Sequence, residues 1–394
     1  MRRALRIGVP GLLLMALACS VLLPERYAVN VPLRGFLFGA EPPAASEFER
    51  RMRVPEGFAI GVYAEGIRNA RFLRFTSAGD LLVSSPREST LFLVERDADG
   101  DGRADGVRPL LQDLNRPHGL DFRDGWLYIA ETDAIKRVRF DAEQASTQGE
   151  LETVVSGLPT GGNHWTRTLR FGPDGAMYVS LGSSCNVCIE KDPRRAAIVR
   201  YRPDGTGEEL YATGLRNAVG FDWQPETGAL YATDNGRDML GDDLPPCELN
   251  HVERGGFYGW PYAHGNRVPD PSFGHGHKDR IAASIPPVHG FVAHTAPLGI
   301  RFYRGQSFPE RYRGAAFVAQ HGSWNRTRKS GYRVVLLEPD AATGGFRESD
   351  FVLGFEIDED VIGRPVDVLD GPDGALYISD DYAGAIYRVS YVGE

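Results

Sequence analysis

One unit returns along this chain at intervals of about fifty residues, and it limits the possible folds more than any other feature. It reads FTSAGDLLVSS (Phe75 to Ser85), FRDGWLYIAET (Phe122 to Thr132) and FGPDGAMYVSLG (Phe171 to Gly182). It returns as FDWQPETGALYATDN (Phe221 to Asn235) and DGPDGALYISDD (Asp370 to Asp381). Each copy places an apolar residue before a Gly-containing turn and follows it with alternating apolar residues. The turn closes a hairpin and the alternation makes a half-buried strand. A strand unit repeating at this period cannot bury its apolar face alone, so copies must pack side by side, as in a β-propeller. The gap between the fourth and last copies is near three periods, which places further blades between 250 and 350; GAAFVAQHG (Gly314 to Gly322) is a candidate. The expectation is an all-β, six-bladed β-propeller over residues 46–394. The C-terminal DYAGAIYRVSY would pair with the first blade to close the ring. A β-sandwich would not predict the repeat.

Composition agrees: 47 glycines and 26 prolines favour turns over long helices. The net charge of −9, with no basic block beyond the N-terminal MRRALR, excludes a nucleic-acid partner. That basic flank precedes IGVPGLLLMALACSVLL, which reads as an export signal or a membrane anchor. Residues 1–45 are therefore set apart as signal or anchor plus linker, and an exported, periplasmic protein is expected, touching a membrane only through this segment. Export permits disulfides. Cys185-x-x-Cys188 fits a local disulfide, a redox pair or half a metal site; with no second Cys-x-x-Cys, the disulfide is favoured and Cys247 stays unpaired.

In a propeller the segments entering the repeated strands converge on one mouth of the central channel. Here they are polar in blade after blade. Asn115-Arg116-Pro117-His118, Asn163-His164-Trp165-Thr166-Arg167 and Arg216-Asn217 precede the second, third and fourth strands. His294-Thr295 and His321-Gly322-Ser323-Trp324-Asn325-Arg326 lie in the fifth region, and Arg364 precedes the last strand. Several guanidinium groups around one mouth match a small polyanion through paired hydrogen bonds. Trp165 and Trp324 offer flat faces to a planar ring, and a neutral histidine can take a proton from a hydroxyl.

NHWTRTLRFGPDGAMYVSLGSSCNVC, GLRNAVGFDWQPETGALYATDNGRD, LNHVERGGFYGWP and QHGSWNRTRKSGYRV together resemble the pyrroloquinoline quinone (PQQ)-dependent sugar dehydrogenases, in particular the L-sorbosone dehydrogenase-like branch. The resemblance implies a six-bladed propeller with PQQ, a planar tricarboxylate, across the channel mouth. It implies His164 as general base, with Asn163 at the position of the family's orienting Asp. Arg216 and Asn217 would face the quinone carbonyls. His118 stands where the family often has Gln. His321, or Arg326 or Lys329, replaces a Lys that pairs with a PQQ carboxylate. Arg364 matches one of two arginines on the last blade, with Val366 at the other position, and Trp324 joins the cofactor set. The implied calcium sits in the loop TDNGRDMLGDD, with the carbonyls of Gly236 and Arg237 as donors and Asp234 or Asp238 as side-chain helpers. The implied reaction moves a hydride from a sugar hemiacetal or hydrated aldehyde to PQQ. Electrons would leave to a separate cytochrome or quinone, since no Cys-x-x-Cys-His is present.

A second calcium candidate is DADGDGRAD, where Asp97, Asp99, Asp101 and Asp105 match part of a calcium loop but Arg108 stands at its twelfth position. HGHK (His275 to Lys278) reads as a surface loop. Two rival readings stand beside the dehydrogenase. A calcium-dependent lactonase or esterase propeller would need carboxylates at the blade entrances, where this chain carries Arg and His. A non-catalytic binding propeller would have no use for His164.

Overall fold

The computed structural model describes residues 24–31 and 45–393. The apolar N-terminal stretch lies outside the described residues. Six antiparallel sheets of four strands ring a central channel, the third with one added edge strand. Their innermost strands are Leu73–Phe75, Leu120–Arg123, Arg167–Phe171, Phe221–Trp223, Pro297–Phe302 and Pro365–Asp370, which define blades 1 to 6. The expected hairpins are present: the Asp-Gly and Thr-Gly turns sit between first and second strands.

Two differences from the expectation concern connectivity. The interval between the fourth and last repeats holds one blade, built on Ala316–Gln320. The extra length is an excursion of blade 4 between Cys247–Val252 and His289–Phe291. It contributes Gly256–Phe257, which adds in parallel to the edge of blade 3, and the short helix Lys278–Ala283, which takes up the end of the HGHK segment. The final strand Ala385–Tyr391 does not pair with blade 1. Its partner is Phe58–Ala64, so the N-terminal strand completes blade 6 and closes the ring. Phe58 anchors this closure: its ring meets Phe308, Tyr312, Phe351 and Tyr391 edge-on at 4.8–5.3 Å. Such pairs add about 0.5–1.5 kcal/mol each beyond burial.

The Pro-Asp-Gly turns do more than reverse the chain. In blade 3, Asp174 accepts from Tyr178 (3.2 Å) and Arg200 (2.7 Å). In blade 6, Asp373 accepts from Tyr377 (3.2 Å) and Arg388 (2.7 Å). Each clasp ties the first three strands of its blade at the face opposite the mouth.

The channel wall carries a regular pattern. The inner strands read Leu73-Arg74-Phe75, Leu120-Asp121-Phe122, Leu169-Arg170-Phe171, Phe221-Asp222-Trp223, Ile300-Arg301-Phe302 and Val366-Asp367-Val368. Arginine and aspartate therefore alternate around the ring. The three aspartates also join blades: Asp121 accepts from Phe171 N–H (2.7 Å), Asp222 from Phe302 N–H (2.9 Å) and Asp367 from Leu73 N–H (3.0 Å). These blades pack so closely that a Cβ on Gly220 would lie 2.0 Å from the Leu298 carbonyl oxygen.

Candidate functional site at the channel mouth

His164 enters blade 3 and Ser183 leaves its second strand, so antiparallel pairing returns both to the same end. Nδ1 of His164 is 2.8 Å from the Ser183 carbonyl oxygen and 3.0 Å from its Oγ. The Ser183 hydroxyl itself donates to the Cys185 carbonyl (2.7 Å). A carbonyl only accepts, so Nδ1 carries the proton and Nε2 presents a lone pair. Burial, and then the nearby charge of Arg216, lower the pKa of this imidazole to about 3, so it is neutral at any physiological pH. The expected orienter is corrected here. The Asn163 side chain is exposed and forms no hydrogen bond to the ring; only its backbone N–H is engaged, with Ser184. Successive residues of an extended entry segment point to different sides, so the neighbour in sequence is not the neighbour of the ring.

Gly182 makes room for this arrangement. A Cβ there would lie 2.4 Å from Asn217 Oδ1 and 2.6 Å from His164 Cβ. Gly182→Ala should destabilise the protein by about 1–3 kcal/mol through overpacking, measured by urea unfolding, and should shift the His164 ring resonances in an NMR spectrum. Unchanged resonances would mean that the contact is looser than it stands here.

Arg216 is buried and all five of its N–H donors are used. Nε donates to the Asn186 carbonyl (2.9 Å), and Nη1 to the carbonyls of Asn235 (3.1 Å) and Gly236 (2.9 Å). Nη2 donates to Asn186 Oδ1 (3.0 Å) and Asp238 Oδ2 (3.1 Å). Its role at the mouth is thus that of a fixed charge beside His164. Asn217, next in sequence, has its backbone held by Asp234, while its side-chain amide has no hydrogen-bond partner among the described residues.

The other wall is cationic. Arg116 stacks over Trp165 at 4.0 Å, and Arg71 lies 5.7 Å from the same ring. Burial, with Arg87 and Arg71 next in weight, lowers the proton affinity of Arg116. Burial likewise lowers that of Arg71; the charges of Arg364 and Arg87 add to this against the pull of Asp381. Asp381 is the one carboxylate in the group, bonded to Arg71 (2.6 Å) and to His321 Nε2 (2.8 Å). Burial, followed by Arg364, brings His321 down to about 4. Arg364 donates to the carbonyls of His321 and Gly322, both at 3.2 Å. His118 sits just inside the channel, 6.1 Å from Trp165, and its buried Nε2 has no partner among the described residues. Three guanidinium groups, those of Arg71, Arg116 and Arg364, repelling one another around one acid form a cradle that a planar polyanion would neutralise.

Other expected residues fall elsewhere. Arg326 donates to the Asp242 carbonyl and to Asp243 (3.0 Å), and Lys329 reaches Asn30 and Glu359, so both cations are taken up by rim contacts. Trp324 stands on the rim, 39% exposed. The Gly236 carbonyl already accepts from Arg216, which leaves one lone pair for a metal, and no hydrogen bond reaches the Arg237 carbonyl among the described residues. The Arg237 side chain is paired with Asp270 at 2.7 Å. Both oxygens of Asp234 accept from the backbone of Arg216 and Asn217, so Asp234 shapes the entry turn of blade 4. Asp97, Asp99 and Asp101 do bring one carboxylate oxygen each within 4.8 Å of one another, on the outer hairpin of blade 1 at the end opposite the mouth. Asp105 instead accepts from Ala98 N–H at 3.3 Å.

Cys185 and Cys188 form a disulfide, and Cys247 is a buried free thiol in the core of blade 4. The sequence reading missed Arg71, Ser183, Asn186 and Asp381. Arg71 carried a signal, since it stands two residues before an inner strand, as His118 does.

The model of the glucose/sorbosone dehydrogenase family matches residues 126–388. A protein of Borreliella burgdorferi without an assigned activity is 31% identical over 90% of this chain and 95% of its own length. Among solved structures, the holo form of the PQQ domain of pyranose dehydrogenase from Coprinopsis cinerea superposes with a TM-score of 0.75. It is 21% identical, and the match covers 90% of this chain and 99% of that one. The calcium structure of a Trichoderma reesei enzyme of carbohydrate-active family AA12 gives the same TM-score at 20% identity, over 86% of this chain and 97% of that one. With the family model spanning most of the propeller, this chain belongs to the glucose/sorbosone dehydrogenase family.

Proposed function

We propose that this protein is a PQQ- and calcium-dependent dehydrogenase that oxidises a sugar hemiacetal or hydrated aldehyde, of the aldose or sorbosone class. The observation that carries the reading is His164: a neutral imidazole with Nδ1–H pinned by a carbonyl and a free Nε2 lone pair, beside a cradle of three arginines. Arg71, Arg116 and Arg364 would hold the carboxylates of the cofactor, with His118, His321 and the free amide of Asn217 completing its surroundings. The carbonyls of Gly236 and Arg237 would hold the calcium. PQQ, when bound, supplies the hydride acceptor. His164 Nε2 takes the proton of the substrate hydroxyl, and its Nδ1–H stays on the Ser183 carbonyl throughout, which keeps the ring oriented as charge forms on it. Arg216 cannot turn toward the substrate without giving up bonds, so it acts on negative charge from a fixed position. The acceptor of the electrons would be a separate cytochrome or quinone.

The test is a titration of the purified protein with PQQ in the presence of calcium, followed by absorbance, and then dye reduction with aldoses and sorbosone. Saturable binding and sugar-dependent reduction are expected. Lactone hydrolysis without PQQ would replace this reading with the hydrolase, and no binding at all would favour a non-catalytic propeller.

A further inference from the structure

The segment after blade 3's second strand, Ser183 to Glu190, is short, half-buried and joined to itself by the Cys185–Cys188 disulfide. Only Asn186 and Val187 lie between the two cysteines. Asn186 does an unusual amount from this position. Its Oδ1 accepts from Asp238 N–H (2.8 Å) and from Arg216 Nη2 (3.0 Å). Its Nδ2 donates to the Asp238 carbonyl (3.0 Å). Its own carbonyl accepts from Arg216 Nε (2.9 Å) and from Trp260 Nε1 (3.4 Å). One asparagine thus bonds both the backbone N–H and the carbonyl of Asp238 and one whole edge of the Arg216 guanidinium.

We propose that Asn186 is a positioning residue for Arg216 and for the 235–238 segment, and that the Cys185–Cys188 disulfide is the brace that keeps it in register. The proposal rests on the reading of the mouth as the redox site, because Arg216 and the carbonyls of Gly236 and Arg237 belong to it. Three physical points support it. First, Arg216 is held on two opposite edges, by the carbonyl and the side chain of Asn186 on one and by the carbonyls of Asn235 and Gly236 on the other; losing the Asn186 amide halves the first edge and loosens the buried cation. Second, the segment holding the proposed calcium donors is fixed at Asp238 by a reciprocal pair of hydrogen bonds to the same side chain, so Arg216 and those donors move together or not at all. Third, a loop of two residues closed by a covalent link has little freedom to carry Asn186 away, and the same loop takes the hydroxyl of Ser183, whose carbonyl orients His164. The brace thereby serves the base and the cation from one place.

The experiment uses Asn186→Ala and the double variant Cys185→Ser/Cys188→Ser, each compared with wild type. In the protein without cofactor, amide hydrogen exchange across 235–239 should become about tenfold faster in both variants, while exchange in the strands of blade 1 stays unchanged. In the PQQ- and calcium-loaded protein, kcat should fall about 100-fold in Asn186→Ala with the substrate KM within a factor of a few. The acid limb of its pH profile should move upward, as the loosened Arg216 charge shifts away from His164. Asn186→Gln, which keeps both an acceptor and a donor, should recover part of the loss. Wild-type exchange together with a wild-type pH profile in Asn186→Ala would overturn the proposal. So would a loss of kcat with exchange unaltered. If wild type itself fails to bind PQQ, the functional reading falls, and the exchange measurement still decides whether Asn186 fixes the segment.

Discussion

His164→Ala is expected to lower kcat by about 10²–10⁴-fold, the usual contribution of a positioned general base, while PQQ affinity stays within a few-fold of wild type. The argument is one of geometry. The imidazole contributes a lone pair at Nε2, and the cationic residues proposed to hold the cofactor, Arg71, Arg116 and Arg364, belong to blades 1, 2 and 6 rather than to blade 3. Truncating the ring therefore removes the proton acceptor without disturbing the arginine cradle. Ser183→Ala is the informative control. It deletes Oγ but retains the carbonyl that fixes the tautomer, so its effect on kcat should be small. Steady-state dye reduction and a PQQ binding isotherm give the two quantities. Full activity in His164→Ala would mean that the base lies elsewhere.

Asp222→Ala is expected to cost about 3–5 kcal/mol of folding stability, the range for stripping one partner from a buried ionic group. Asp222 is 2% exposed. Arg304 lies 2.7 Å from it and Arg301 3.8 Å, and Phe302 N–H donates to it at 2.9 Å. Burial raises its affinity for a proton, but Arg301, Arg304 and Arg170 outweigh this and hold the carboxyl below its ordinary value. Removing it leaves Arg304 without its carboxylate and Arg301 with Asp370 alone, and cuts a bond between blades 4 and 5. Asp222→Asn keeps an acceptor for the Phe302 amide and should lose less. Urea midpoints at pH 7 measure both. As a carboxyl with a depressed pKa, Asp222 stabilises the fold above the usual carboxylate range, and that contribution fades as the pH drops through its lowered value. The gap between wild type and Asp222→Ala should therefore narrow in acid.

Why some of this was legible in the sequence follows from where each signal lives. Blade hairpins are local: Gly-containing turns followed by alternating apolar residues announce themselves within a dozen residues, and five blades were readable on that ground. Blade 5 was faint because Ala316–Gln320 is preceded by the turn around Glu310–Tyr312 rather than by Asp-Gly. The blade 4 excursion also spoiled the count. Site residues at blade entrances were readable as a class, and His164, Arg216, His118, His321 and Arg364 do lie at the mouth or just within it. Which way a cation points was not readable. Arg326 and Lys329 have the right charge and nearly the right position, yet Asp242, Asp243 and Glu359 capture them, and those acids come from other loops. The partner of His164 was out of reach for the same reason: Ser183 arrives through strand pairing, nineteen positions away in sequence. The Arg/Asp alternation was in plain view in six triplets, but it acquires meaning only once the strands are known to face a common axis.

That alternation has a consequence for how such a molecule can change. Around a closed circle, two kinds of charge can take turns only if the number of places is even. Losing or duplicating a single module would set two arginines or two aspartates shoulder to shoulder in the channel wall, whereas a neighbouring couple could be gained or lost with every charge still facing its opposite. The smallest heritable building block of this ring is then a couplet, and the circle is three couplets long.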